Sequence, residues 1–302
     1  MISLIDKKSP SLHTLLCLGR VSNLPTVWSN VLAAFFWTAW VTQKPIEGLV
    51  LLWLCVAFSL LYLGGMYLND ASDVDWDRIH NPERPIIQGQ ISQRLVLCYS
   101  LVLLTSGFIL LLALAFQTSV QYVGLLTSLA LLLLFCIVSY NCLHKRYSLS
   151  RFLMGACRAL IYLICAQMMA DSFSDALAIA LPLAGYISGV TLLAQYEHTT
   201  QKSHWYSLTL LLSPWLLTLA LPVSLPLIIM LAMCTYPTLK HLILRFIKTN
   251  QQPSTPSIGA LLSRIPLYDA AILLACSQWW GVLFCIGYFS IAPKLHRWIA
   301  PS

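Results

Sequence analysis

Apolar residues fill this chain in long unbroken blocks, and the polar residues gather in the short stretches between them. A block of roughly 20 apolar residues is what a helix needs to cross a bilayer. On that rule nine spans are predicted, at about 25–41, 48–68, 94–116, 119–140, 152–170, 176–195, 205–221, 223–236 and 268–291. Pro214, Pro222 and Pro226 interrupt the seventh and eighth. The runs of Leu, Ala and Ile lack the period-two alternation of a barrel strand, so the spans are read as helices. Residues 10–20, more mixed, suit a short helix lying at the interface. The expected fold is all-α: one polytopic membrane helix bundle of about nine transmembrane helices over residues 1–302, as a single domain.

Composition agrees with that pattern. The chain has 302 residues, 58% of them hydrophobic and only 10% charged, with a mean hydropathy of +0.75. A soluble domain carries about 25% charged residues, so a soluble fold is excluded. The first apolar block is long enough to remain as a span, and no cleavable signal peptide is expected. Fourteen of the eighteen Lys and Arg fall on one side of the expected topology. The positive-inside rule then puts the N-terminus in the cytoplasm of the cell membrane and the C-terminus outside. The net charge of +7 follows from this bias toward anionic membrane lipids rather than from a nucleic-acid partner. The ten Cys are scattered, form no CxxC pair and read as small core residues.

One polar stretch carries chemistry. Residues 69–77 read Asn-Asp-Ala-Ser-Asp-Val-Asp-Trp-Asp, so four of the eleven acidic residues fall within eight positions at the end of the second span. If the helix continues, Asp70, Asp73 and Asp77 share one face, Asn69 lies beside Asp73, and Asp75 points elsewhere. Carboxylates this close repel unless a cation compensates them. An amide oxygen and three carboxylates are hard donors that suit Mg2+ rather than zinc. The other reading is a solvated acidic loop that caps helices. Arg78 and Arg84 follow within a turn or two, and a metal beside guanidinium groups suits a diphosphate.

The pattern Asn69-Asp70-x-x-Asp73-x-x-x-Asp77, followed by Asn81-Pro82-x-Arg84-Pro85, resembles the first signature of the UbiA superfamily of intramembrane prenyltransferases. The span plan is similar to that family's over nearly the whole chain. The segments 20–30 and 154–163 also resemble its EboC-like branch. The resemblance implies Asn69, Asp70, Asp73 and Asp77 as Mg2+ ligands. It implies an isoprenyl diphosphate as donor, a lipophilic or aromatic acceptor, and catalytic roles for Asp73 and Asp77. Arg20, Arg84, Tyr140 and Lys145 would bind the diphosphate, although His144 stands where many relatives have the Lys of a Tyr-x-x-x-Lys motif.

The family's second acidic motif is depleted here. Its place reads Gln195-Tyr196-Glu197-His198-Thr199-Thr200-Gln201, with Glu197 the single carboxylate. Glu197 is therefore either a weaker substrate-binding group or a polar residue at a span end. Arg158 sits about two turns inside the fifth span. There it serves catalysis and substrate binding, with a diphosphate or acidic ligand as partner, or else it snorkels to the surface. Asp269 opens the ninth span and reads as a favourable charge at a helix N-terminus. The rival to an enzyme is a non-catalytic carrier or binding protein for a lipid-linked or diphosphate metabolite. An ion-coupled transporter fits poorly, because its acids belong near the midplane and these gather at one mouth.

Overall fold

The computed structural model describes residues 10–117, 120–143, 147, 150–169, 173–194, 205–247 and 257–299. Thirteen α-helices follow in order among these residues: α1 (Leu12–Leu18), α2 (Leu24–Thr42), α3 (Gly48–Ser72), α4 (Val74–His80), α5 (Gln93–Ala115), α6 (Val120–Leu143), α7 (Arg151–Met169), α8 (Phe173–Ala194), α9 (Trp205–Leu210), α10 (Leu225–Ile247), α11 (Ile258–Leu262), α12 (Ile265–Ala275) and α13 (Trp279–Trp298). Seven segments, α11 and α12 counting as one, are long and apolar enough to cross a membrane. The protein is a multi-pass membrane protein with an all-helical fold.

Burial sorts the helices into two shells. In α7, α8 and the α11–α12 segment about two thirds of the apolar window is buried; in α3, α5, α6 and α10 the share is about one third. The outer helices turn large side chains such as Leu101, Ile109 and Phe135 outward. That arrangement is costly in water and natural in lipid. Helices of both shells approach closely through small residues, as membrane helices do when lipid removes the hydrophobic drive for association. A Cβ on Gly107 of α5 would stand 2.9 Å from the carbonyl of Ala57 on α3. One on Gly155 of α7 would collide with the Ala184 carbonyl and the Ser188 hydroxyl of α8.

The polar mouth is built where α1 meets the end of α3. Ser11 caps α1 by accepting from the Thr14 amide at 3.1 Å. The Thr14 hydroxyl donates to Gln90 at 2.9 Å, and the Tyr67 hydroxyl donates to the Leu15 carbonyl at 3.0 Å. So α1 is tied to both α3 and the loop before α5. The chain then turns through Arg20, whose backbone is left-handed (φ 43°, ψ 47°), into a 3₁₀ turn, Val21–Asn23, that leads into α2.

Three expected spans are corrected. The seventh (205–221) is α9 followed by a 3₁₀ helix, Ser213–Leu219, because Pro214 lacks the N–H that a continuing α-helix requires. The eighth (223–236) is too short. Pro226 falls in the first turn of α10, where its missing N–H costs nothing, and the helix runs past Pro237 to Ile247. The ninth (268–291) is two helices. The chain reverses at Cys276–Gln278, with Ser277 in positive φ, so α12 and α13 form a hairpin. Gly281 packs on Leu273, the Arg264 guanidinium lies 5.4 Å from the centre of the Phe289 ring, and the Tyr288 hydroxyl donates to the Ser22 carbonyl at 2.6 Å. The end of α13 thus returns to the face where α2 begins.

Candidate active site

The second span does not run on as one helix through the aspartate cluster. It breaks at Asp73 (φ −94°, ψ 7°) and restarts as α4. The i to i+4 bonding survives the break: the Asp73 amide donates to the Asn69 carbonyl at 3.0 Å and the Asp77 amide to the Asp73 carbonyl at 2.8 Å. Asn69, Asp70, Asp73 and Asp77 therefore stay on one face and are buried. The Asp75 side chain is 97% exposed and meets only Arg78, at 3.5 Å.

Arg20 reaches across from the turn before α2. Its Nη2 donates to Asn69 Oδ1 at 3.0 Å and to Asp70 Oδ1 at 2.9 Å. Arg84, on the loop after α4, approaches the same Asp70 oxygen at 3.5 Å. Burial lowers the affinity of the Arg20 guanidinium for its proton, but the Asp70 carboxylate, with smaller contributions from Tyr62, Tyr140 and Asp73, outweighs it and the net shift is upward. Arg20 is held as a cation. Asp77 Oδ1 accepts from the Asn81 side chain at 2.7 Å, which ties Asn81, the first residue of the Asn-Pro-x-Arg-Pro tail, to the cluster.

Among the described residues no three His, Cys, Asp or Glu side chains converge as a ready metal site. Instead Arg20 engages Asn69, Arg20 and Arg84 share one oxygen of Asp70, and Asn81 engages one oxygen of Asp77. The donor set nevertheless fits a hard cation. Asp70 Oδ2 is buried without a hydrogen-bond partner, a costly state for a carboxylate oxygen that a cation would relieve.

Two chambers with shared wall residues lie beside Arg20. One, of about 150 Å³, is lined by Arg20, Asn23, Thr26, Tyr62, Tyr140 and Arg158 on its polar side and by residues of α8 and α11 opposite. The other, of about 80 Å³, is almost wholly apolar, with Phe58, Leu61, Leu133, Ile137 and Ile161 in its walls. Tyr62, Met66, Tyr140, Met154 and Arg158 border both. Arg20, Tyr140 and Arg158, distant in sequence, thus face one space. Lys145 and Glu197 lie outside the described residues.

Among the described residues Arg158 pairs directly with no acidic side chain, and it does not snorkel. Buried in α7, it donates from Nη1 to Asn30 Oδ1 at 2.6 Å and to the Thr26 carbonyl at 3.2 Å, and from Nη2 to Thr26 Oγ1 at 3.0 Å. Asp269 is not at a helix N-terminus. It is the fifth residue of α12, fully buried, and accepts from Ser29 at 2.5 Å, from Asn30 Nδ2 at 2.8 Å and from the Tyr162 hydroxyl. Sequence reasoning passed over Thr26, Ser29, Asn30 and Tyr162, and took Asp269 for a helix-end charge. The available signal was an ionisable residue inside an apolar run, Tyr268-Asp269-Ala270-Ala271-Ile272.

The sequence profile of the UbiA prenyltransferase family matches residues 24–293. The chain belongs to that family. Among UbiA-type relatives, it is 38% identical over 71 residues to a digeranylgeranylglyceryl phosphate synthase of Thermococcus gammatolerans, which is 24% of this chain and 26% of that protein. It is 44% identical over 75 residues to the enzyme of the same name from Metallosphaera sedula, 24% of this chain and 25% of that protein. The matches span about a quarter of the length of these curated relatives. A solved structure, described as giving structural and mechanistic insights into the biosynthesis of digeranylgeranylglyceryl phosphate synthase in membranes, superposes with a TM-score of 0.60 at 18% identity. It covers 92% of this chain and 99% of that one, and so shares the UbiA fold.

Proposed function

We propose that this UbiA-family protein is a Mg2+-dependent intramembrane prenyltransferase, moving an isoprenyl group from its diphosphate to a lipophilic acceptor. One observation carries the reading. The Arg20–Asn69–Asp70–Arg84 cluster, beside buried Asp73 and Asp77, reaches through Arg20 into the wall of a chamber that shares five wall residues with a second, apolar one. A prenyl diphosphate has that same division, an anionic head on a hydrocarbon tail.

The residues divide the work. Magnesium, held by Asn69, Asp70, Asp73 and Asp77, would supply Lewis-acid stabilisation of the departing diphosphate. Arg20 and Arg84 offer N–H donors to the diphosphate oxygens as charge grows there. Phe58, Leu61, Leu133, Ile137 and Ile161 receive the tail and keep water from an allylic cation. Tyr62 and Tyr140 border both chambers, and a ring face turned to the allylic cation would stabilise it. Arg158, on the border of both chambers, directs the anionic head or an anionic part of the acceptor. The local matches to digeranylgeranylglyceryl phosphate synthases make geranylgeranyl diphosphate and a glyceryl-phosphate lipid the first donor and acceptor to try.

The test is purified protein in detergent with radiolabelled prenyl diphosphates and a panel of lipid and aromatic acceptors. Mg2+-dependent transfer or diphosphate release supports the reading; neither, across the panel, refutes it. A second reading, a non-catalytic carrier of a diphosphate metabolite, is favoured by the single carboxylate of Gln195–Gln201. Tight binding of a prenyl diphosphate with no product would decide for it.

A further inference from the structure

Asp269 borders neither chamber, yet it sits one residue away from a side chain that borders both. Asn30 stands between Asp269 on α12 and Arg158 on α7. Arginine can only donate, and an ionised carboxylate can only accept. Asn30 must therefore turn its oxygen to Arg158 and its amide nitrogen to Asp269. The rest of the carboxylate is satisfied by Ser29 and Tyr162, both of which donate to it. Thr26 completes the cradle by donating its hydroxyl to the Asn23 carbonyl at 2.7 Å, which leaves its oxygen lone pair for Arg158. Every member lies in the bundle interior, where such a set of polar groups is expensive to bury and an apolar replacement is often no less stable.

We propose that Asp269 is a positioning residue for Arg158. Acting through Asn30, it fixes the guanidinium at the border of the two chambers, where Arg158 meets the anionic head of the substrate. The inference rests on the prenyltransferase reading of that chamber. It assigns no proton transfer to Asp269. Its part is to orient Asn30, balance the charge of Arg158 and hold α2, α7 and α12 in one register around the site.

The arrangement permits a rescue test. Asn30→Asp alone places two carboxylates side by side. Asp269→Asn alone removes the charge that balances Arg158. The double variant N30D/D269N moves the carboxylate from α12 to α2 and the amide from α2 to α12, so Arg158 keeps an acceptor and the site keeps its charge. Asn30→Ser is a milder cut, removing the link while Ser29 and Tyr162 still serve Asp269.

The experiment uses full-length protein in detergent. Diphosphate release from geranylgeranyl diphosphate with Mg2+ and the same panel of lipid and aromatic acceptors is measured beside binding of its unreactive thiolodiphosphate and the fraction folded by size exclusion. Each single variant should lose about tenfold in kcat/KM, within the range seen for coupled neighbours, and the double variant should recover most of that loss. Asn30→Ser should show the same loss while remaining folded. The proposal is overturned if the folded double variant is no better than the worse single. Singles as active as wild type would overturn it as well. So would a folded, fully active Asn30→Ser, including the case where no other variant folds. If wild type releases nothing, the prenyltransferase reading fails instead. The same variant series is then judged on thiolodiphosphate binding, with loss in the singles and recovery in the double as the supporting result and equal binding in all as the contrary one.

Discussion

The guanidinium of Arg20 lies 2.9 Å from the carboxylate of Asp70, joining the turn before the first long helix to the end of the second. The Asp70 side chain is buried and that of Arg20 is 13% exposed, and Arg84 shares the same oxygen. Removing one member of a buried ion pair leaves the other uncompensated, which costs about 3–5 kcal/mol. Asp70→Ala should therefore lower stability by about 3 kcal/mol, at the low end because the mouth admits some water. A thermal melt in detergent at fixed lipid content measures this.

Arg20 offers a sharper separation. Its left-handed backbone costs a non-glycine residue about 1–2 kcal/mol, and glycine pays none of it. Arg20→Gly should be more stable than Arg20→Ala by about 1 kcal/mol. Both should lose turnover alike, because both lack the guanidinium. Melting curves and diphosphate release on the same two preparations check the two halves of this expectation.

Asp73→Asn and Asp77→Asn should each lower Mg2+-dependent turnover by about a hundredfold or more, the scale of losing one preorganised charge contact in a transition state. Folding should change little, since Asn is nearly the same size. Asp75→Asn, outside the buried face, should leave turnover unchanged. Rates over a Mg2+ titration test all three.

Gly155→Ala should loosen the bundle without touching the mouth. The added methyl group collides with the Ala184 carbonyl on α8, and overpacking of this kind costs about 1–3 kcal/mol. The melting temperature should fall, with the KM for prenyl diphosphate unchanged in the protein that stays folded.

The hairpin of α12 and α13 makes a topological prediction. Tags at the two ends of the chain should be cleaved from the same side of sealed vesicles. Cleavage from opposite sides would contradict the reversal at Ser277.

Much of the helical architecture is legible because lipid imposes it: long apolar blocks give α3, α5, α6, α7 and α8 nearly as read. The C-terminal third is less legible. Hydropathy is blind to a tight reversal within an apolar run, and Ser277 and Gln278 carry too little polarity to mark one. At the mouth, helical spacing places Asn69, Asp70, Asp73 and Asp77 on one buried face, although the chain breaks at Asp73. Spacing along one helix cannot show that Arg20 comes from another element to meet them. Asp269 escapes for a related reason. Its partners Ser29, Asn30 and Tyr162 are distant in sequence, so only the packed bundle distinguishes a network member from a helix-end charge.

The most direct test of the account is calorimetric titration of geranylgeranyl thiolodiphosphate into the purified protein, with and without Mg2+, for wild type and for Asp73→Asn and Asp77→Asn. The account predicts binding that requires Mg2+ and is lost in both variants. Binding that is absent, or that ignores both the ion and the substitutions, would contradict it.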